Sequence, residues 1–352
     1  MSDPATLDGS IESVVAQYLS AELSQESERD AERGVWLDGL WRGAEAQGFT
    51  LPAVAEVHNG SGGNLSDEAA VVRAVARTAT PLPIAETAVA GWALSLQGQQ
   101  VPAGPLSIAP VRFGERLVLR GGRVHGTVTR IPWGRNVGAV VSVANERLVL
   151  LDPLSSTIRH GMNLANEPRD TLCFDGSLPL FIGEPIDSDL IMKRGAAVRA
   201  TQLAAAAAAV LELTVNYVRE RVQFGKSLGS LQAIQQQVAR ASSLVAAAHI
   251  AAQYGYCGNQ SPNRENRAMG HLCCAIAKSR ASDAAGIVAA IAHQAHGAIG
   301  FTEDYSLRRW TRRIQSWRTE FGSEAAWSLR VGERILDAGG AAAWPIITSV
   351  GY

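Results

Sequence analysis

The sequence predicts a mainly α-helical chain with a central β domain, in the order helical, β, helical. Three observations predict it. Apolar residues fall at helical spacing from residue 11 to about 96. Short β-branched runs between turn residues fill residues 101 to about 189, and helical text returns from Met192 with an alanine-rich stretch. At roughly 100 to 200 residues per domain, 352 residues imply two or three domains, and the three zones place them at 1–100, 101–190 and 191–352.

In the first zone Val14, Val15, Tyr18 and Leu19, then Trp36, Leu37, Leu40 and Trp41, recur with the period of an amphipathic helix; residues 59–64 read as a Gly/Asn turn between helices. In the second, strands are expected at 116–119, 124–128, 139–143, 147–151 and 170–174. With no helix between them they imply a small antiparallel sheet or barrel. In the third, residues 196–218 combine high helix propensity with small side chains for close packing. Further helices are expected at about 229–256, 267–296 and 324–336.

Composition excludes several classes of function. With 47% hydrophobic and 18% charged residues the chain is ordinary for a soluble globular protein, neither disordered nor membrane-embedded. Thirty-two Lys and Arg against 33 Asp and Glu give a net charge of −1, which leaves no global field for nucleic acid unless one face concentrates the arginines. Cys173, Cys257, Cys273 and Cys274 are too few and too unevenly spaced for a disulfide framework, so a reducing compartment is expected. The opening MSDPATLDGSIESVV is acidic and lacks the features of a signal peptide, and no long uncharged apolar run is evident; the expectation is a cytoplasmic protein with no membrane segment.

Four motif matches are set aside on context. Gly225-Lys226-Ser227-Leu228-Gly229 spells the G-x-S-x-G hydrolase elbow, but that elbow follows a strand and here a helix precedes it. The same letters would end a phosphate-binding Walker loop, yet its upstream glycine position holds Glu220. His293 and His296, with Cys273 and Cys274 upstream, suggest a metal site. Adjacent cysteines diverge on a helix, however, so packed thiols and no metal are expected. Gly60-Ser61-Gly62-Gly63 lies between helices and reads as a loop.

Two segments carry more. Arg221-Val222-Gln223-Phe224-Gly225-Lys226 ends a long helix and sets a guanidinium, an amide and an aromatic ring around a glycine, with Gln232 at the start of the next helix. Such groups suit a dinucleotide: fork-like donors for pyrophosphate, an amide for either polarity of hydrogen bond, a ring for an apolar edge. A helix end with favourable cations and a glycine stop accounts for this segment equally well. The second segment is Gln294-Ala295-His296-Gly297-Ala298-Ile299-Gly300-Phe301-Thr302, whose glycines allow close backbone approach.

Together these two segments resemble the C-terminal domain of the acyl-CoA dehydrogenase family, whose fold is an N-terminal helical domain, a middle β-barrel domain and a C-terminal four-helix bundle. Pro132-Trp133-Gly134 also looks like the family's tryptophan-bearing middle-domain strand. The resemblance implies a flavoprotein that removes the α proton and a β hydride of an acyl-CoA, with FAD as hydride acceptor, a separate electron-transfer acceptor, and FAD's adenosine diphosphate end reaching across a subunit interface. On that resemblance Arg221, Gln223, Phe224, Gln232, Gln294, Gly297 and Ala298 hold FAD in trans.

The departures from the family are selective. Aligning the last helix puts Phe321, within Glu320-Phe321-Gly322-Ser323, where the family's glutamate base stands, and the minority position for that base falls on Gly195. No catalytic residue is therefore assigned, Glu320 being the fallback. Ala103-Gly104-Pro105-Leu106-Ser107-Ile108 replaces the T-E-P-x-x-G-S-type segment that lines flavin in cis. Trans features present with cis features and base missing imply the smaller, non-catalytic subunit of a heterotetramer. A homologous partner would then supply the base, and family assemblies of this kind serve bulky acyl-CoA substrates such as steroid side chains. Three rivals stay open: a homomeric dehydrogenase using Glu320 or Glu324, a flavin-dependent monooxygenase relative, and a structural homologue without flavin.

Overall fold

Asn64 starts a helix by accepting hydrogen bonds from the amides of Ser66 and Asp67, while the Asp67 carboxylate accepts from the Asn64 amide, so the turn expected at 59–64 is a capping box. The computed structural model describes residues 4–109, 116–223, 225–257 and 264–348. It divides into two compact units, Met1–Gly195 and Ala196–Tyr352. The first opens with α1 (Pro4–Glu22), α2 (Gln25–Glu32), α3 (Asp38–Ala46), α4 (Leu65–Arg77) and α5 (Ile84–Ser95). Val15, Leu19, Leu40, Trp41, Val71, Val75 and Ile84 form their core, which accounts for the helical spacing in the sequence.

Eight strands follow: β1 (Leu106–Ile108), β2 (Arg116–Arg120), β3 (Arg123–Pro132), β4 (Ala139–Ala144), β5 (Arg147–Leu151), β6 (Thr157–Arg159), β7 (Arg169–Ser177) and β8 (Phe181–Pro185). The five expected strands are present, and β1, β6 and β8 are additional. They form two four-stranded sheets, β1-β4-β5-β8 and β2-β3-β7-β6, around Leu117, Val124, Val128, Ile131, Val140, Val149, Leu172 and Phe174. The pairings are antiparallel, as expected of a small antiparallel sheet or barrel, except that β1 pairs in parallel with β4, Leu106 opposite Ala139. Parallel neighbours need a crossover, and the β2–β3 hairpin of the other sheet supplies it. β1 replaces the expected flavin-lining segment with structural bonds: Thr87 Oγ1 of α5 donates to Leu106 O at 3.1 Å and accepts from its amide at 3.0 Å.

Helix α6 (Ser188–Glu220) begins before the expected 196. The second unit continues with a hairpin, β9 (Val222–Gln223) and β10 (Lys226–Ser227), then α7 (Gln232–Cys257), α8 (Arg264–His296), α9 (Leu307–Trp317), α10 (Glu324–Ala338) and α11 (Gly340–Thr348). Helices α7 and α8 pack as an antiparallel pair through Gly255, where a side chain would meet the Ala277 Cβ and the Cys273 carbonyl at 3.2 Å. Cys274 Sγ donates to Gly255 O at 3.3 Å, and burial pushes the Cys273 thiol up to about 11, so both act as packed thiols. Ser188–Glu220 and Gly270–Phe301 are long and apolar enough to cross a membrane by length and composition, a test that core helices also pass, and 78% and 50% of their apolar windows are buried within the protein.

Candidate functional site

The end of α6 is built around Tyr217. Its carbonyl accepts the Arg221 amide at 2.9 Å, the last bond of the helix, and the Arg221 carbonyl then accepts the Leu228 amide at 2.8 Å. This brackets the β9–β10 hairpin, in which Lys226 faces Gln223. Gly225 turns the chain at φ +77, a conformation that favours glycine. Arg221 and Gln223 are exposed, Gln232 is exposed at the first turn of α7, and Phe224 lies outside the described residues. The helix expected from 229 is preceded by a 3-10 turn, Leu228–Ser230.

The second segment closes α8. Beyond His296 a 3-10 turn, Gly297–Phe301, starts with Gly297 at φ +63, and a Cβ there would meet nothing within 4 Å. Gln294, Gly297 and Ala298 are exposed, whereas Gly300 is wedged beneath, its absent Cβ 3.0 Å from His296 Cβ and 3.3 Å from Leu307.

An aromatic layer underlies both segments. His296, 4% exposed, is stacked on Tyr217 with ring centroids 4.3 Å apart and meets Tyr305 at 5.2 Å. Its Nδ1 lies 2.8 Å from the Ala292 carbonyl, which requires the proton on Nδ1. Tyr217 Oη donates to the His296 carbonyl at 3.4 Å. His293 stacks on Phe301 at 4.4 Å, and its Nε2 pairs with Thr311 Oγ1 at 3.1 Å. Burial lowers the pKa of both imidazoles, His296 keeping part of its basicity through the Ala292 bond. The fold thus assembles Arg221 and Gln223 with Gln294, Gly297 and Ala298, and the antiparallel α7–α8 pair carries Gln232 to the same end. Tyr217 and His296, which join the two halves, were missed as site residues. The available signal was an aromatic one helical turn before Arg221.

The loop where the family's base would stand is closed by buried charge. Glu320, 4% exposed, accepts from Arg199 Nε at 2.9 Å and Nη2 at 2.7 Å. The guanidinium also bonds Gln202 Oε1 and lies over the rings of Trp317 and Phe321, at 5.6 and 5.7 Å. Phe321 is buried at φ +52, held by Trp327 Nε1 donating to its carbonyl at 2.8 Å. Lys278 Nζ fixes the loop from below, donating to Ser282 Oγ, Arg318 O and Gly322 O at 3.1, 2.9 and 3.0 Å. Burial pulls its amine down to about 7 against the opposing pull of Glu320. Glu324 pairs with Arg318 at 3.1 Å, and Gly195 lies inside α6 without a side chain.

The set-aside motifs fall on ordinary structure. Ser227 belongs to the β9–β10 hairpin after a helix, and the amides of Gly60, Ser61, Gly62 and Gly63 all donate to carbonyls between Leu51 and Ala55. A groove of about 940 Å³ in the first unit, lined by Arg116, Arg120, Glu146 and Asp187 among others, holds none of the residues assigned to FAD.

Residues 189–336 match the family model for the acyl-CoA dehydrogenase C-terminal domain. Acyl-CoA dehydrogenase IpdE2 of Mycolicibacterium smegmatis is 25% identical over 279 residues, covering 78% of this chain and 80% of its own. Among solved structures, a variant of the Tcur3481-Tcur3483 steroid ACAD superposes with a TM-score of 0.85 at 20% identity, over 95% of this chain and 99% of that one. A chain of the ChsE4-ChsE5 complex from Mycobacterium tuberculosis gives 0.84 at 18%, over 97% and 99%. The chain therefore has the acyl-CoA dehydrogenase fold, and its residues 189–336 are an acyl-CoA dehydrogenase C-terminal domain.

Proposed function

We propose that this chain is the non-catalytic subunit of a heteromeric FAD-dependent acyl-CoA dehydrogenase, in which a homologous partner supplies the base and this chain holds the adenosine diphosphate end of FAD in trans. One observation carries the reading: the position of the base is filled by buried Phe321 while the adjacent Glu320 is bound to Arg199, yet the nucleotide-type groups are assembled and exposed. An exposed guanidinium, three exposed amides, an exposed alanine and a glycine turn with open space at its Cβ fit a pyrophosphate and its sugar. Arg221 would take the phosphates, Gln223, Gln232 and Gln294 the polar edges, and Gly297 with Ala298 the close backbone approach; Phe224 enters on family resemblance alone. The flavin, when bound, supplies the acceptor for the β hydride of the acyl-CoA.

The heteromer is supported by structural neighbours that are themselves named as two-protein assemblies, one of them a steroid ACAD. A bulky, steroid-type acyl-CoA, a separate electron-transfer acceptor and a cytoplasmic setting belong to the same proposal. The domain division at 1–100, 101–190 and 191–352 goes with it. Homomeric catalysis by Glu320 would first have to break a buried ion pair, and nothing about its geometry favours that.

The test is flavin content. Alone, the chain should be poorly soluble or colourless, and co-expression with a homologous dehydrogenase subunit should give a yellow complex. Flavin absorbance per protomer after gel filtration measures this, and one tightly bound FAD per chain of the isolated protein overturns the heteromer.

A further inference from the structure

Two of the orphaned buried atoms of the second unit, which also include Gln237 Oε1 and Arg318 Nε, lie under the proposed nucleotide site. His296 Nε2 is buried without a hydrogen-bond partner, as is His293 Nδ1. Since Nδ1 of His296 carries the proton, Nε2 is a bare lone pair on a buried ring stacked on Tyr217 and tilted against Tyr305. Tyr217 is doubly committed. Its carbonyl ends α6 at Arg221, while its ring and hydroxyl grip His296 and the carbonyl from which the Gly297 turn departs.

Resting on the reading above, we infer that Tyr217 and neutral His296 are positioning residues that lock the Arg221–Gln223 and Gln294–Ala298 segments into one nucleotide platform, and that protonation of His296 unlocks both together. A proton on Nε2 would create a buried donor with no acceptor, in a layer where charge is poorly solvated. The titratable groups around it are His293 on α8, Tyr217 on α6 and Tyr305 before α9, with Glu220 of α6 acting on Tyr305. Imidazole is the side chain whose ordinary range lies nearest neutrality. His296 is the more buried, and its carbonyl is the one Tyr217 grips.

Amide exchange of the chain within its co-expressed apo-complex tests the platform without nucleotide, read as protection relative to intrinsic rates at pH 8 and pH 5.5. In the wild type, protection of 217–223 and of 294–302 should fall together on acidification, by about tenfold. His296→Phe keeps the stack and should abolish the acid response. Tyr217→Ala should loosen both segments already at pH 8, and should it fail to fold, Tyr217→Phe keeps the ring and loses only the hydroxyl bond. Loosening of one segment without the other overturns the inference. So does an acid response that survives His296→Phe or is lost instead in His293→Phe.

FAD titration of the assembled complex gives the second arm. Tyr217→Phe should weaken FAD by about three- to tenfold, the loss of one neutral hydrogen bond, and His296→Phe should make affinity independent of pH between 5.5 and 8. A wild-type complex that binds no FAD defeats the functional reading and leaves the exchange result standing. FAD that binds tightly and ignores Tyr217→Phe overturns the positioning role.

Discussion

Arg221 stands exposed at the end of a 33-residue helix, and a hydrogen bond to a charged group is worth about 1.5 to 3 kcal/mol. Arg221→Ala is therefore expected to weaken FAD binding to the complex by about one to two orders of magnitude, read by titrating FAD into the apo-complex. Glu320 gives the opposite expectation. In the complex, Glu320→Gln should leave flavin reduction by substrate near normal in single turnover, because the base lies elsewhere. A loss of 10² to 10⁴, roughly the range for a lost general base, would return catalysis to Glu320. The same change should cost stability, since Arg199 loses its countercharge in a buried site; breaking such pairs costs about 3 to 5 kcal/mol, seen as an earlier denaturant midpoint. Phe321→Glu should create no activity. Arg199 itself was overlooked: a lone arginine amid Ala196, Ala197, Val198 and Ala200 sits in an otherwise apolar stretch, and such a charge must find a partner.

Elements with long, periodic sequence were legible. Helices α6, α7, α8 and α10 and strands β2, β3, β4, β5 and β7 lie where residue patterns place them, with ends displaced by up to eight residues. Strands β1 and β6 have three residues each, too few for an alternation to show, and β1 is defined by Thr87 in another element rather than by its own side chains. Helix α9 was missed for a different reason. LRRWTRRIQSW reads as a polar, arginine-rich stretch, yet Leu307, Thr311 and Ile314 recur on one face and are buried. Lys278 shows how one element is tied to another, from α8 to the loop before α10. Its amine is lowered from the ordinary lysine range to about 7, so the unfolded chain binds the extra proton between pH 7 and about 10.5. Stability should then rise with pH across that window. In Lys278→Met the rise should flatten, as measured by urea denaturation at pH 7 and pH 9.5, while the abandoned Arg318 and Gly322 carbonyls lower stability at both.

Across the whole molecule, large apolar side chains among the described residues are left outward in both units of the chain. Ile250 and Tyr254 of α7, Leu329 and Leu336 of α10 and Trp344 of α11 are all exposed. Scattered singly, such residues are ordinary surface, so the expectation of a partner rests on the proposed heteromer. Expressed alone it should elute as aggregate, and with its partner as a discrete heterotetramer, checked by light scattering.

The parallel pairing of β1 with β4 also fixes an order in time. A chain emerging from the ribosome makes α5 first, then Leu106–Ile108, and only after the β2–β3 hairpin the residues 139–144 that β1 needs. Until then β1 is an unpaired edge, the kind of strand that recruits other chains. Thr87 meets that interval, since α5 precedes β1 and already offers both halves of the bond that Leu106 requires. In the growing polypeptide, α5 is then the first neighbour on the chain with a hydrogen-bond partner to offer the opening strand of the sheet.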